Sequence, residues 1–210
     1  MRIALLGATG GIGGHVLAWA LDAGHTVHAL ARRPGVLPPA AGLCVIRGDA
    51  LDGGAVAEAV ADADAVVSAL GPRGGAGARS PGLLAGAAAN IVAGMEKTGA
   101  HRVICVSAAG AFITADPHTN RLVKLILPRV FAKPFADTRR MEDIVARSGL
   151  DWTMVRPARL TNGAATGRYR VAPEYPPRGG WKISRADVAQ FIAATLTEGS
   201  WVRSAPALAY

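Results

Sequence analysis

The chain has 210 residues, 50% of them hydrophobic and 18% charged, which suits one compact domain with a sizeable core and leaves two ordinary domains cramped. Its formal net charge of +8 raises nucleic acid as a partner, but the basic residues are dispersed in pairs such as Arg32-Arg33 and Arg139-Arg140, and aromatics at 5% are too sparse for base-stacking platforms, so no nucleic-acid partner is expected. No signal-peptide pattern follows Met1 and no apolar run is long enough to span a bilayer, so the expectation is a cytoplasmic protein with no membrane partner.

The chain opens with an apolar run, Ile3 to Leu6, that breaks into Gly7-Ala8-Thr9-Gly10-Gly11-Ile12-Gly13 and continues as a helix-patterned stretch to Leu21. This reads as strand, tight turn and helix start. Glycines at Gly7, Gly10 and Gly13 permit a sharp turn, close approach of a ligand and close packing of helix on strand, and Thr9 adds a hydroxyl. The N–H groups that open the helix then face a pyrophosphate. The spacing is G-x-x-G-x-x-G, a variant of the dinucleotide fingerprint.

Thr26 to Ala31 reads as a second strand ending in Arg32-Arg33. In a nucleotide-binding fold this end lies beside the adenosine ribose, where a carboxylate selects a free 2′-hydroxyl and arginine accepts a 2′-phosphate. Two arginines and no acid point to NADPH over NADH. A third strand, Leu43 to Arg47, leads to Gly48-Asp49-Ala50; Asp49 either accepts from the adenine amino group or caps the helix that begins near Asp52. A helix over Ala55 to Ala61 and a fourth strand, Ala65 to Leu70, follow, and the strand gives way at Gly71, which makes Ala69, Leu70 and Gly71 cofactor candidates. Gly71 to Pro81 reads as mobile. A helix from about Gly82 to Thr98 and a fifth strand, Arg102 to Ser107, complete a strict alternation of strand and helix. The class is therefore α/β, a doubly wound parallel sheet of Rossmann type. Cys44 and Cys105 fall in strands and are expected to be buried small apolar residues, with no disulfide or metal spacing.

An insertion over 111–135 reads as an amphipathic helix broken at Pro128, cationic on one side: a lid over the cofactor, core packing or a dimer surface fit it equally. It carries His118, a candidate proton donor. Asp137, Arg139, Arg140 and Glu142 read as a solvated helix face. The glycine-, proline- and arginine-rich stretch of about 158–182, with a short strand at Gly167 to Val171, reads as a small substrate-binding segment of the same 1–210 domain. Ser184 caps a last helix, with Asp187 favourable in its first turn, and a final strand lies near Pro206 to Leu208.

These features together resemble the atypical, NmrA-like members of the short-chain dehydrogenase/reductase superfamily, which bind NAD(P)H and include biliverdin reductase B-like flavin reductases. The resemblance rests on Gly7 to Gly13, Arg32-Arg33, Gly48-Asp49, the strand ending at Ser107, Ser148 to Thr153 with Val155-Arg156-Pro157, and Ile183 to Ala189. It implies that Gly7, Thr9, Gly10, Gly11, Ile12 and Gly13 hold the pyrophosphate, that Arg32 and Arg33 recognise the 2′-phosphate, and that Ser107 and the Arg156-Pro157-Ala158 turn lie near the nicotinamide. The superfamily's Tyr-x-x-x-Lys pair is missing: none of Tyr169, Tyr175 and Tyr210 has Lys four residues later. Three functions follow as expectations: an NADPH-dependent reductase of a small flat acceptor, apolar or anionic, such as a flavin or quinone; a non-catalytic NADP(H) sensor; and a nucleotide-sugar epimerase or dehydratase. A monomer or homodimer is expected.

Overall fold

The computed structural model describes residues 1–71 and 82–210. The mobility expected of the stretch after Gly71 lies outside the described residues. The sheet is built around β1 (Arg2–Leu6), which pairs in parallel with β2 (Thr26–Ala31) on one side and β4 (Ala65–Ser68) on the other. Both faces of β1 are covered from Ile3 onward, and that stretch is continuously apolar: Ala4 and Leu6 enter one core, Ile3 and Leu5 the other. β3 (Leu43–Arg47) extends the sheet beyond β2, and β5 (Arg102–Val106) and β6 (Asp151–Pro157) extend it beyond β4, all in parallel.

One core layer is made by α2 (Gly53–Val60), α3 (Leu83–Thr98) and α5 (Ala132–Ala146), through Val56, Ile91, Met95, Met141 and Val145. The other is made by α1 (Gly11–Asp22) and α6 (Arg185–Glu198), which pack together through Val16, Leu17, Val188 and Ile192. β10 (Pro206–Ala209) adds in parallel to β6, and β8 (Arg170–Pro173) adds antiparallel to β10, so the order is β3-β2-β1-β4-β5-β6-β10-β8. β7 (Arg159–Thr161) and β9 (Lys182–Ser184) form a separate two-stranded sheet. This is the doubly wound α/β fold expected. No helix among the described residues is long and apolar enough to cross a membrane.

Three expectations are corrected. Cys44 is exposed, because β3 is the edge strand; Cys105, on the interior β5, is buried. The insertion helix α4 (Arg121–Val130) runs through Pro128 and ends at Phe131. Proline deletes one N–H, and the Phe131 N–H still donates to the Leu127 carbonyl at 3.0 Å, so the turn survives. Core packing of α4 is also excluded: Leu122, Leu125, Ile126 and Val130 are at least half exposed. Third, the charges on α5 are not a uniformly solvated face. Arg139 and Arg140 are exposed, but Asp137 caps α3, accepting from Leu84 N at 3.0 Å and Ala85 N at 3.1 Å, and Glu142 is buried.

Candidate functional site

The chain leaves β1 toward β2 and β3 and returns to β4 on the opposite side, so the carboxyl ends of β1 and β4 flank the crevice where an open parallel sheet places a ligand. Gly7 stands there at φ +90°, and a Cβ on it would lie 2.6 Å from the Ala69 carbonyl oxygen. A Cβ on Gly13 would lie 2.2 Å from the Gly7 carbonyl oxygen. Neither position accepts a side chain. The turn is closed by Gly10 N donating to Gly7 O at 2.8 Å. Gly10 is then the N-cap of α1, with no side-chain cap and no acidic residue in the first turn. A helix start built this way presents N–H groups and a positive dipole end to an anion, so Gly7, Gly10, Gly11, Ile12 and Gly13 fit a dinucleotide pyrophosphate. Across the crevice, Ala69 and Leu70 are half-buried and Gly71 is exposed.

At the end of β2, Arg32 and Arg33 are both exposed, and Arg32 Nη1 lies 4.0 Å from Asp49 Oδ2. Asp49 does not cap α2. Its Oδ1 accepts from Leu51 N at 3.0 Å, while the cap is Asp52, whose Oδ1 accepts from Gly54 N at 2.9 Å and Ala55 N at 3.3 Å. Ala50 is buried, its carbonyl held by Asn90 Nδ2 at 3.0 Å. The edge near Asp49 therefore carries two arginines and one carboxylate.

Two and three strands from β1, β5 and β6 deliver Ser107 and Pro157, both buried. Ser107 N donates to Val155 O at 2.7 Å, and its hydroxyl donates to Glu142 Oε1. Arg156 holds the same carboxylate at two points, Nε to Oε1 at 3.0 Å and Nη2 to Oε2 at 2.6 Å. The guanidinium also stacks 3.6 Å over the Phe112 ring and donates from Nη1 to Glu174 O at 3.0 Å. Burial pushes the neighbouring Cys105 thiol up to about 12, with the Glu142 charge adding to it. His118 is exposed; its backbone N–H donates to Asp116 Oδ1 at 2.8 Å.

The 158–182 stretch is tied to the start of α6 by Asp187. Its Oδ1 accepts from Thr166 N and Gly167 N at 2.8 Å each, and its Oδ2 from Ser184 Oγ at 2.9 Å and Tyr210 Oη at 2.5 Å. Burial works to raise this carboxyl, but the Tyr210, Gly167, Thr166 and Ser184 hydrogen bonds outweigh it and hold it below the usual carboxylate range. Ser184 Oγ accepts from Asp187 N at 2.9 Å, the cap expected. The short strand begins at Arg170 rather than Gly167, because the Gly167 N–H is taken by Asp187.

Against this geometry, a model of the NAD(P)H-binding family matches residues 7–199. The chain belongs to this NAD(P)H-binding family. It is 31% identical over 205 residues to a Bacillus subtilis protein named as the uncharacterized sugar epimerase YhfK, covering 94% of this chain and 89% of that one. Among solved structures it is similar to ChuY, an anaerobilin reductase from Escherichia coli O157:H7, at TM-score 0.82 and 27% identity, covering 100% of this chain and 97% of that one. A short-chain dehydrogenase/reductase from Veillonella parvula solved in complex with NADP shares the fold at TM-score 0.82 and 22% identity, covering 100% and 94%.

For an NAD(P)H-binding chain, the residues that sequence reasoning missed are those whose partners come from other elements. Glu142 was legible in one respect: it sits in phase with the buried stripe Thr138, Met141 and Val145 of α5, a place where a free charge is not tolerated. Its partner Arg156 lies on β6, and nothing local announces the pair.

Proposed function

We propose that this chain is an NADPH-dependent oxidoreductase that passes a hydride to a small flat acceptor such as a flavin or quinone. One observation carries the reading: the glycine cradle after β1 lies at the same carboxyl end of the sheet as Ser107, the residue that follows β5 two strands away. Two strand spacings amount to roughly 10 Å, a span that a ribose and a nicotinamide ring bridge. When bound, NADPH supplies the hydride and thus the redox chemistry. The protein's part is to bind and orient. Arg32 and Arg33 supply planar donors for a 2′-phosphate, beside Asp49 and Ala50. Ser107, its proton committed to Glu142, offers its oxygen as an acceptor to the ring region. Glu142 engages both its oxygens with Ser107 and Arg156, so it positions these groups. The proton that accompanies the hydride then comes from solvent, which a flavin or quinone acceptor permits. α4 offers exposed apolar residues, Leu122, Leu125, Ile126 and Val130, as a candidate wall for such a ring system. Likeness to a reductase over nearly the whole of both chains supports this reading.

A second reading, an NADP(H) sensor without turnover, is favoured by the fully engaged Glu142 and by the lack of a Tyr-x-x-x-Lys pair. The same missing pair disfavours epimerase chemistry. Calorimetry with NADPH, followed in the same sample by absorbance of the reduced nicotinamide on adding FMN and a quinone panel, separates these. Tight binding with acceptor-dependent oxidation is the expected result. Tight binding without oxidation would establish the sensor, and absence of binding would reject both.

A further inference from the structure

Arg185 is placed where neither of the helices it touches stabilises a positive charge. It is the first residue of α6, at the positive end of that helix dipole. Its side chain crosses to the first residue of α1: a Cβ on Gly11 would stand 2.4 Å from Arg185 Cδ and 3.0 Å from Nε. The guanidinium stem thus fills the space a side chain at position 11 would take, beside the start of a second helix. Its hydrogen bond, Nη1 to Asn162 Oδ1 at 2.6 Å, goes to a neutral amide. No carboxylate among the described residues forms an ion pair with it. α1 has no acid in its first turn, and Asp187, the acid in the first turn of α6, is engaged with Tyr210, Ser184, Thr166 and Gly167. A cation held at two helix amino-termini with a neutral partner lacks an anion. The pyrophosphate proposed for the Gly7–Gly13 turn is the anion that would lie within its reach.

We infer that Arg185 pairs with the cofactor pyrophosphate over Gly11 and, through Asn162, couples cofactor occupancy to the 158–182 segment. The inference rests on the NAD(P)H reading of the glycine turn. A guanidinium has five N–H donors in a planar fork, so one bond to Asn162 leaves others for phosphate oxygens. Gly11 is part of the same device, because any side chain there would displace Arg185. Asn162 lies one residue beyond β7, in the stretch read as the substrate segment, so the bridge runs from the cofactor cradle to the substrate side.

The pyrophosphate is common to NADPH and NADH, whereas the 2′-phosphate is not. Arg185→Ala is therefore expected to weaken both cofactors by the same factor, about ten- to a hundredfold, as one or two charge-assisted hydrogen bonds are lost. Arg185→Lys should restore part of it. Calorimetry reads these values, and the melting temperature of the cofactor-free variants, expected to match the parent, separates a binding loss from misfolding. Limited trypsin digestion reads the coupling: NADPH should slow cleavage at Arg168 and Arg178 in the parent, and this protection should vanish in Asn162→Ala while its NADPH affinity changes less than about threefold. A parent chain that binds no NADPH would reject the underlying cofactor reading. A parent that binds it, with Arg185→Ala and Arg185→Lys binding equally well, would overturn the role of Arg185 alone.

Discussion

Glu142 and Arg156 meet in a two-point ion pair with only 9% and 11% of their side chains exposed, and Glu142 also takes the Ser107 hydroxyl. Such a pair costs desolvation to form but is expensive to break on one side, because the surviving charge stays buried. Arg156→Met is expected to destabilise by about 3–5 kcal/mol, and Glu142→Gln by less, since the amide retains one acceptor. The double variant should recover part of the loss. Urea unfolding of the four proteins checks this, and strictly additive losses would contradict a direct pairing.

Gly13 and Gly14 are neighbours in α1 with opposite expectations. Gly13→Ala drives a methyl to 2.2 Å from the Gly7 carbonyl, so the turn must open; a loss of about 1–3 kcal/mol and of NADPH binding is expected. A methyl on Gly14 meets the Ala8 carbonyl at 3.6 Å, an ordinary contact. Gly14→Ala should therefore stabilise by about 0.5–1 kcal/mol through helix propensity, without affecting binding. Thermal melts and calorimetry on the two variants read both outcomes.

Arg32→Ala with Arg33→Ala should weaken NADPH by roughly tenfold to a thousandfold, two planar charge-assisted contacts being removed, while leaving NADH nearly unchanged. Equal losses for both cofactors would reject these residues as the 2′-phosphate site. The contrast with Arg185→Ala, expected to lower both equally, makes the two sets of arginines distinguishable in one calorimetric series.

The parts of this molecule that sequence reading recovered are those set by short-range rules. The strand, glycine turn and helix of residues 3–21 are one local unit, and the alternation of apolar strands with alanine-rich helices dictates the parallel sheet. What it missed depends on which strand lies at an edge and which helix face turns inward. Cys44 looks like Cys105 in sequence and differs because β3 has a neighbour on one side only. Asp137 looks like a surface acid and instead caps a helix more than fifty residues earlier in the chain. Arg185 merely follows the capping Ser184 in sequence, and its contact with Gly11 exists only because α1 and α6 pack on the same face of the sheet.

Cys44 and Cys105 should accordingly react very differently. Cys105 is 1% exposed and its thiol is pushed up to about 12, so it is almost wholly protonated at pH 8. One thiol per chain should react rapidly with Ellman's reagent in the folded protein, and Cys44→Ser should abolish that phase. The second should appear with the unfolding rate in urea.

Asp187 fixes how stability responds to acid. Its folded carboxyl is held below the ordinary value of about 3.9, the hydrogen bonds from Tyr210, Gly167, Thr166 and Ser184 prevailing over burial. The unfolded chain therefore binds this proton first as pH falls, and the contribution of Asp187 is fully present above that ordinary value and is lost as pH drops through the folded one. Asp187→Asn keeps the shape but removes the charge that five donors from four residues share; a loss on the order of 3 kcal/mol at pH 7 is expected, shrinking as the pH falls below about 4. Because Tyr210 and Thr166 lose their anchor together, the variant should also release the 158–182 segment to proteolysis before global unfolding. Urea midpoints across pH 3 to 7 for parent and variant measure this, and a difference that stays constant over that range would show that Asp187 acts through shape rather than charge.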